Sequence, residues 1–444
     1  MSLDNLPLSW ASTKLVDVCE IILGQSPEGT TVNQNKQGIV FYQGKTEFGK
    51  LHPTPRNYCT APKKIAKKND ILLSVRAPVG PTNLANETTA IGRGLAAIRS
   101  PSDIGFSYLL YYFKYLEPWL SQQGTGTTFK AISGEFIRNL DFLVPTEAEQ
   151  QEIVRQLDIM LAQVEQIKAR LDAIPAILKK FRQSVLADAV SGELINQGFN
   201  QLSVESLSDY LTDVRYGTSK KCSESLIDAV PVLRIPNIAD DGTIDFTNLK
   251  YAEFESKEIK QLQLSKGDLL LIRSNGSLDL VGKSAIADEL DKVVLYAGYL
   301  IRLRFNDSVN PQFIQYFLQA PQTRQTIENI ARSTSGVNNI NSKEIASLKI
   351  QLPCIDHQNE VVLRVKQLLE LSKRIEETIK SAQKRVNFLT QSILAKAFSG
   401  ELTAEWREQH QDLITGVNSA ESLLAKIQAE REASKLVKKA KKVK

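Results

Sequence analysis

This chain of 444 residues lacks long apolar runs and clusters of metal-binding side chains. It contains no stretch of about 18 apolar residues, so no segment is predicted to span a membrane. Its four cysteines and three histidines are scattered, without a Cys-x-x-Cys pair or zinc-type spacing. We therefore expect reduced thiols and no metal site.

Targeting and charge signals are weak. Residues 1–14 lack the charged and apolar regions of a signal peptide, so a cytoplasmic protein is expected. A net charge of +5 permits nucleic-acid binding without indicating it. The last ten residues, KLVKKAKKVK, contain six lysines. A solvated tail is the simpler interpretation, and an arm that contacts phosphates is the alternative.

Catalytic motifs are not found. Residues 276–284, GSLDLVGKS, have five residues between the glycines where a P-loop has four, so a strand–turn–strand element is expected. Glu258-Ile259-Lys260 matches part of a nuclease metal site, but no acidic partner precedes it, and a charged surface helix is favoured. The Asn/Asp-Pro-Pro-Tyr/Phe signature of adenine methyltransferases does not occur. A self-sufficient DNA-modifying enzyme is therefore disfavoured.

Residues 142–195 and 350–403 repeat each other. A constant shift of 208 positions aligns them without a gap and places Gln150 on Gln358 and the SGEL at 191–194 on the SGEL at 399–402. This period is too long for a solenoid, where units run roughly 20–50 residues. The repeat predicts a duplicated half and a pseudo-two-fold axis, the symmetry that many DNA readers use.

Each repeated segment carries an apolar heptad seam typical of a coiled coil. The first seam comprises Ile153, Leu157, Met160, Val164, Ile167, Leu171, Ile174, Leu178, Phe181 and Val185. The second comprises Val361, Val365, Leu368, Ser372, Ile375, Ile379, Ala382, Val386, Leu389 and Ile393. We predict two antiparallel helices that bury these seams against each other over roughly 50 Å. The alternative is a coiled coil that only dimerises the chain.

Local signals mark the ends of the predicted helices. Thr146 with Glu149 forms a capping signal at the start of the first helix, and Gly192 and Gly400 are expected to end the two helices. Pro175 lies beside the first seam. We expect a kink or a break there.

Two related globular domains are predicted at residues 1–145 and 197–353, with helical spacers at 146–196 and 354–404. Short apolar runs bounded by turn residues favour mixed or antiparallel sheets, which gives an α+β fold. In each domain one strand-like run ends in an arginine, Arg76 or Arg273. The aromatic helices 108–119 and 313–318 are expected to form domain cores, with stacking platforms as the alternative.

The motifs LPLSW, DILLSVRAPVGPTN, GDLLLIRSNGSLDLVGKS and the two QS-[VI]-L-A-x-A-x-SGEL helix ends resemble the DNA specificity subunit of type I restriction–modification systems. The tail 402–432 resembles the type IA branch. The resemblance covers nearly the whole chain. It implies two target-recognition domains at the ends of antiparallel spacer helices, each reading half of a bipartite asymmetric target, with the helices setting the gap.

The same resemblance implies partners. Two methyltransferase subunits are expected to dock on the chain, and motor/nuclease (restriction) subunits to join for cleavage of double-stranded DNA. S-adenosylmethionine, ATP and Mg are expected on those subunits and none on this chain. A coiled-coil adaptor without target readout is the alternative function.

Loop residues of the two domains are the candidates for DNA contact. Arginine reads guanine, and Asn or Gln reads adenine, whereas Lys, Ser and Thr mainly contact phosphates. The first domain offers Gln25, Gln43, Lys45, Arg76, Arg93, Thr127 and Lys130. The second offers Arg215, Tyr216, Arg234, Asn237, Arg273, Asn275, Ser335, Asn338 and Asn339. A plain surface or turn role is an equal alternative for each residue; Arg76 and Arg273 are favoured.

Residues 405–444 are predicted to form a partner-docking helix and a basic tail, with Leu423, Leu424 and Ile427 on the docking face. The first repeat has no counterpart to Trp406. We therefore expect residues 1–14 to pack near the C-terminal region and complete a circular arrangement.

Overall fold

The computed structural model describes residues 6–125, 130–224, 229–288, 290–331 and 336–442. The chain forms two compact units, residues 1–170 with 382–444 and residues 171–381. Each unit contains one globular domain and a part of each of two long helices. The structure therefore has the predicted α+β composition.

The first domain combines two sheets with one long helix. Its strands are β1 (Ala11–Lys14), β2 (Glu20–Leu23), β3 (Val32–Asn33), β4 (Ile39–Tyr42), β5 (Asn57–Cys59), β6 (Ile65–Ala66), β7 (Ile71–Ser74), β8 (Thr82–Leu84), β9 (Thr89–Ile91), β10 (Leu95–Arg99) and β11 (Asp141–Val144). Its helices are α1 (Leu15–Val18), α2 (Phe106–Gln123) and α3 (Gly134–Arg138). The sheets have the orders β2-β10-β7-β8 and β3-β5-β4-β9-β6, and β1 pairs with β11.

The second domain follows the same plan. Its strands are β12 (Glu205–Ser206), β13 (Leu211–Tyr216), β14 (Val230–Leu233), β15 (Lys250–Ala252), β16 (Leu269–Ile272), β17 (Ser274–Asn275), β18 (Ser284–Ile286), β19 (Leu295–Tyr296), β20 (Leu300–Phe305), β21 (Asn338–Asn339) and β22 (Lys349–Ile350). Its helices are α5 (Ser256–Leu262), α6 (Pro311–Gln319), α7 (Pro321–Ala331) and α8 (Ser342–Ala346).

The duplication extends through both domains. The order β13-β20-β16-β18 matches β2-β10-β7-β8, and the β12–β22 pair matches β1–β11. Each domain also has one parallel pair, β4 with β9 and β14 with β19. As predicted, the aromatic helices lie in the cores, since Tyr108 and Tyr112 of α2 and Phe313 of α6 are buried.

One buried ion pair is repeated in the two four-stranded sheets. Asp70 and Asp268 are each 1% exposed. Arg99 donates to both carboxylate oxygens of Asp70 at 2.9 and 2.7 Å. Arg304 does the same to Asp268 at 2.7 and 2.7 Å. Such bidentate geometry offsets the cost of burying the charge and joins the two central strands of each sheet.

The long helices are α4 (Glu147–Ser191) and α9 (Ile355–Phe398). Gly192 and Gly400, with φ of 82° and 79°, follow them as predicted. The predicted break at Pro175 is wrong, because α4 continues through it. Val164 and Leu178, which precede and follow Pro175, are buried, and tertiary burial of this kind supplies most of the stability of helices in proteins.

The two helices run antiparallel within each unit. In the first unit Ile153 and Leu157 of α4 share a core with Leu394 of α9. In the second unit Val185 shares a core with Val361. The start of each helix therefore packs beside the end of the other, as predicted.

The seam is buried only in part. Ten of the twenty predicted positions are buried, namely Ile153, Leu157, Val164, Leu178, Val185, Val361, Val365, Ser372, Ile379 and Val386. Leu171 and Leu368 are half-buried. The prediction is wrong for Ile375, which is 39% exposed, and for the exposed Ile167, Phe181 and Leu389.

Polar contacts replace part of the seam in the second unit. Arg182 of α4 donates to Ser372 Oγ at 2.9 Å and to the Glu376 carboxylate at 2.6 Å. Ser372 is fully buried. Because these groups occupy the contact line, the apolar side chain of Ile375 remains at the surface.

Two equivalent glutamines fix the domains to the helices. Gln150 accepts from the backbone N–H of Gly105 at 3.2 Å and donates to the Pro145 carbonyl at 3.1 Å. Gln358 accepts from Asn310 N–H at 2.7 Å and donates to the Pro353 carbonyl at 2.8 Å. Both side chains are buried, so each joins the start of a long helix to the start of its domain's aromatic helix.

The start of α4 is capped, but Glu149 has another partner. Thr146 Oγ1 accepts from Glu149 N–H at 3.3 Å, as predicted. The Glu149 carboxylate, 0% exposed, does not complete the capping box. It accepts from Thr403 Oγ1 at 2.7 Å and from Arg407 Nη1 at 2.6 Å. A buried ion pair thus joins α4 to the C-terminal segment.

That segment contains α10 (Ala404–Gln409) and α11 (Ala420–Lys442). The prediction that Leu423, Leu424 and Ile427 face a partner protein is wrong. Ile427 is fully buried in the core of the first unit, and Leu423 and Leu424 pack against the same core. The apolar face of α11 covers the side of this core that lies beside α1.

Residues 6–14 pack near the C-terminal region, as predicted for 1–14. A Cβ at Gly400 would lie 2.3 Å from Pro7, and Leu6 packs in the core that contains Ile427. In the second unit, Phe199 takes the corresponding place, 2.7 Å from a Cβ at Gly192. The N-terminus therefore closes the end of α9 as the following chain closes the end of α4.

Replacing Glu149 with Gln should lower the free energy of unfolding of the first unit by about 3–5 kcal/mol, because Arg407 would stay buried without its counter-charge. Urea unfolding of the full chain measures this. The exposed Glu147 gives the matched control, and Glu147→Gln should change stability by less than about 0.5 kcal/mol. Equal effects of both variants would contradict the assignment.

Candidate nucleic-acid interface

In the first domain, strand ends and loops meet at the turn 92–94. Gly94 is required there, because a Cβ would lie 2.5 Å from the backbone carbonyl oxygen of Gln43, whereas a Cβ at Gly92 would meet the Gln43 side-chain Oε1 at 2.6 Å. Three backbone hydrogen bonds hold the turn and its neighbours: Gln25 N to Ile91 O at 3.0 Å, Gly92 N to Tyr42 O at 2.8 Å and Val75 N to Gly94 O at 3.0 Å.

The turn brings several predicted residues together. Gln43 is half-buried and donates to Ser26 Oγ at 3.2 Å. Exposed candidates surround it, namely Gln25, Lys45, Arg76, Arg93 and Lys130. Thr127 lies outside the described residues. This end of the first domain therefore presents amide and cationic groups to solvent, the chemistry that contacts bases and phosphates.

The second domain has an equivalent turn at 297–299. Its three backbone hydrogen bonds repeat the pattern: Thr218 N to Tyr296 O at 2.9 Å, Ala297 N to Leu233 O at 2.8 Å and Arg273 N to Tyr299 O at 2.9 Å. Tyr299 is 63% exposed and was not predicted. A glycine followed by an aromatic residue just before an apolar strand is the signal that could have identified it.

The structure corrects the pairing of the two arginines. The Arg273 N–Tyr299 O bond is the counterpart of Val75 N–Gly94 O, so Arg273 occupies the position of Val75. Arg76 corresponds instead to Ser274. An alignment of the two strand-like runs at their terminal arginines is therefore wrong by one residue. The sequence does not reveal this shift, because both runs contain the same number of apolar residues.

Arg273 is held by neutral groups. Its guanidinium carbon lies 4.6 Å from the ring centroid of Tyr216, and its Nε donates to Asn339 Oδ1 at 3.3 Å. The Tyr216 hydroxyl donates to Ser342 Oγ at 3.1 Å and accepts from the Ser342 N–H at 2.9 Å. Tyr216, Arg273 and Asn339 were predicted, whereas Ser342 was missed.

Arg215 is engaged within the domain. It lies 3.3 Å from Asp213, which also pairs with the buried Arg302. Partial burial acts to raise the pKa of Asp213, but Arg302 and Arg215 outweigh it and hold that pKa below its ordinary value. Arg215 therefore has an ion-pair partner within its own domain.

The prediction of a DNA contact is wrong for Asn237. It is 1% exposed, accepts from Arg234 N–H at 2.9 Å and donates to the carbonyls of Asp245 and Thr247 at 2.8 and 3.0 Å. The hydrogen-bonding groups of its amide are therefore used to hold the 237–247 loop in place. The half-buried Arg234 donates to the Asn248 carbonyl at 3.1 Å.

Asn275 and Asn338 shape the loop beside Arg273. Asn275 Oδ1 accepts from Ser277 N–H at 2.8 Å, and Asn338 donates to the Gly276 carbonyl at 3.1 Å. The pairing of β17 with β21 places Asn339 opposite Ser274. Ser335 lies outside the described residues.

The rejected motifs have structural roles. Residues 276–283 form a turn between β17 and β18, and Lys283 pairs with Asp240, which confirms the strand–turn–strand prediction. Glu258 lies in α5 and pairs with Lys220 at 2.7 Å. The four cysteines are free.

Over the described ranges, no helix has the length and apolar character needed to cross a membrane. Within the same ranges, His, Cys, Asp and Glu side chains form no group of three or more that could hold a metal ion.

Comparison with known proteins identifies the class. The profile of the type I restriction modification DNA specificity domain matches residues 7–176 and 220–382. The chain belongs to this family, and the two matches fall on the two halves of the repeat.

Individual relatives agree along the chain. It is 34% identical over 460 residues to the type I restriction enzyme EcoKI specificity subunit of Escherichia coli K12, which covers 98% of each chain. It is 32% identical over 458 residues to the StySPI specificity subunit of Salmonella potsdam, again over 98% of each chain. A crystal structure of the HsdS subunit from Thermoanaerobacter tengcongensis is 45% identical, covering 38% of this chain and 41% of that chain, with a TM-score of 0.35.

Replacing Asn237 with Ala should lower the free energy of unfolding by about 1–3 kcal/mol, because three backbone groups lose a buried partner. The base preference of the domain should stay unchanged. Chemical unfolding and selection from a random DNA library measure the two effects. Asn387→Ala, at an exposed helix position, is the control for stability. A changed base preference with unchanged stability would contradict the structural role.

Proposed function

We propose that this chain is the sequence-specific DNA-binding subunit of a type I restriction–modification complex. Each domain reads one half of a bipartite asymmetric double-stranded target, and α4 and α9 set the gap between the halves. The observation that carries this proposal is the equivalence of the turns 92–94 and 297–299, which two related domains build with the same backbone hydrogen bonds.

Different side chains on this shared framework support an asymmetric target. Val75 corresponds to Arg273, and Gly94 corresponds to Tyr299. Because hydrogen-bonding groups at base edges determine which base is accepted, equivalent positions with different side chains would select different bases. A pseudo-two-fold arrangement of the domains, as the repeat predicts, would present the two readers to opposite halves of the target.

Exposed apolar side chains on the long helices support the docking of two methyltransferase subunits. In the first unit Phe388 is 76% exposed and lies beside the exposed Leu389. In the second unit Ile177, Phe181 and Leu371 are exposed. A contiguous apolar patch on a protein surface commonly marks a protein interface. Each unit would thus hold one methyltransferase subunit, and motor/nuclease subunits would join for cleavage.

The chain itself is proposed to be non-catalytic and cytoplasmic. Its sequence contains no adenine-methyltransferase signature or P-loop spacing. S-adenosylmethionine, ATP and Mg would therefore bind the partner subunits. The α11 helix covers the core of the first unit, so partners would dock on other surfaces than Leu423, Leu424 and Ile427.

A base-resolution methylation map tests the function. Host DNA is compared with the gene present and deleted, while the methyltransferase subunit is expressed in both strains. We expect methyladenine to disappear from one bipartite, gapped motif on deletion. An unchanged map would contradict target recognition and favour an adaptor that binds without sequence preference.

The docking surface has its own test. Phe388→Asp should weaken assembly with methyltransferase subunits by about tenfold or more, because a charge would be buried in an apolar contact. Asn387→Asp adds the same charge at the neighbouring exposed position and serves as control. Light scattering of the co-purified subunits measures the stoichiometry. Normal assembly of the Phe388 variant would exclude this surface.

A further inference from the structure

Most arginines of the second domain are neutralised by carboxylates. Of the six in the described part of residues 197–353, four form ion pairs: Arg215 and Arg302 with Asp213, Arg304 with Asp268, and Arg324 with Glu328. The other two, Arg234 and Arg273, have no carboxylate partner among the described residues. Arg234 donates to the Asn248 carbonyl, whereas the contacts of Arg273 are an aromatic ring and an amide oxygen.

These neutral contacts fix the guanidinium without cancelling its charge. The Tyr216 ring lies 4.6 Å from the guanidinium carbon, and Asn339 Oδ1 accepts from Nε at 3.3 Å. Two bonds to Ser342, at 2.9 and 3.1 Å, fix the tyrosine hydroxyl. A side chain held in this way loses little conformational entropy when it binds a ligand.

The remaining N–H donors of Arg273 fit few kinds of ligand. Nε is used by Asn339, and Nη1 and Nη2 have no hydrogen-bond acceptor among the described residues. Two adjacent N–H groups of a planar guanidinium match the O6 and N7 acceptors of guanine in the major groove. A planar guanidinium can also pair with two phosphate oxygens. A contact to the phosphate backbone is independent of sequence and would serve both domains equally, yet the equivalent position of the first domain is Val75, so the arginine in one domain alone favours a base edge.

We propose that Arg273 is a specificity-determining residue that reads a guanine in the half-site of the second domain, with Tyr216 as its positioning residue. This inference rests on the proposed function of the chain. The equivalent position in the first domain is Val75, which has no donor. The guanine contact therefore belongs to one half-site only.

The test uses the full chain assembled with its methyltransferase subunits. The complex selects from a library of random duplexes, and sequencing of the bound DNA gives the motif. The wild type should show one position in one half that requires guanine. Arg273→Ala should relax that position alone and reduce binding to the guanine duplex by about fivefold to 150-fold relative to wild type.

Arg273→Lys separates a base contact from a phosphate contact. It keeps the charge but lacks the paired donors, so it should relax the same position. A motif retained by Lys and weakened equally at every base by Ala would overturn the proposal. Lys343→Ala removes an exposed charge beside Ser342 and should leave every base preference unchanged.

Variants of Tyr216 test the positioning role. Tyr216→Phe keeps the ring and should keep most of the guanine preference. Tyr216→Leu removes the ring and should relax the same position as Arg273→Ala, with thermal unfolding close to wild type. Relaxation at a different position would contradict the role of the ring.

The outcomes distinguish a failure of the proposed function from a failure of the guanine proposal. If the wild-type complex selects no motif, the proposed function fails. If it selects a bipartite motif that Arg273→Ala leaves intact, or changes only at an A·T pair or in the other half-site, the guanine proposal alone fails.

Discussion

Each domain is fixed to the start of a long helix by one buried glutamine, and the duplicated architecture depends on this contact in both halves. Gln150 and Gln358 use both ends of their amides to join the helix, the preceding proline carbonyl and the aromatic helix of the domain. An unpaired amide at either place would be costly, so the joint tolerates little displacement. Each domain then keeps a defined orientation to the helix on which it is fixed.

The helical part of the fold could be predicted from the sequence. The two helices, their antiparallel packing and the glycines at their ends follow from a gapless repeat, a 4-3 apolar pattern and the left-handed conformation that glycine adopts readily. The middle of the seam could not be predicted. There Arg182 reaches Ser372 and Glu376, and a heptad pattern contains no information about which polar side chains will cross it.

Candidate DNA contacts were harder to predict for a related reason. Asn237 and Arg273 both follow strands, and both side chains have groups that could bond to a base edge. Asn237 is buried and bonds to the backbone, whereas Arg273 is partly exposed to solvent. Their difference depends on neighbours distant in sequence, Thr247 and Asn339. The C-terminal helix was misassigned because an apolar face looks the same whether it covers a partner or its own chain, and here it closes the first unit together with the Glu149–Arg407 pair.

The central claim is that the two domains read DNA independently from one scaffold. Exchange of residues 197–353 for the corresponding segment of a family member with a different target, followed by methylation mapping, tests it most directly. The account predicts that one half of the motif changes, while the other half and the gap stay the same. A motif that changes in both halves, or in its gap alone, would contradict independent reading.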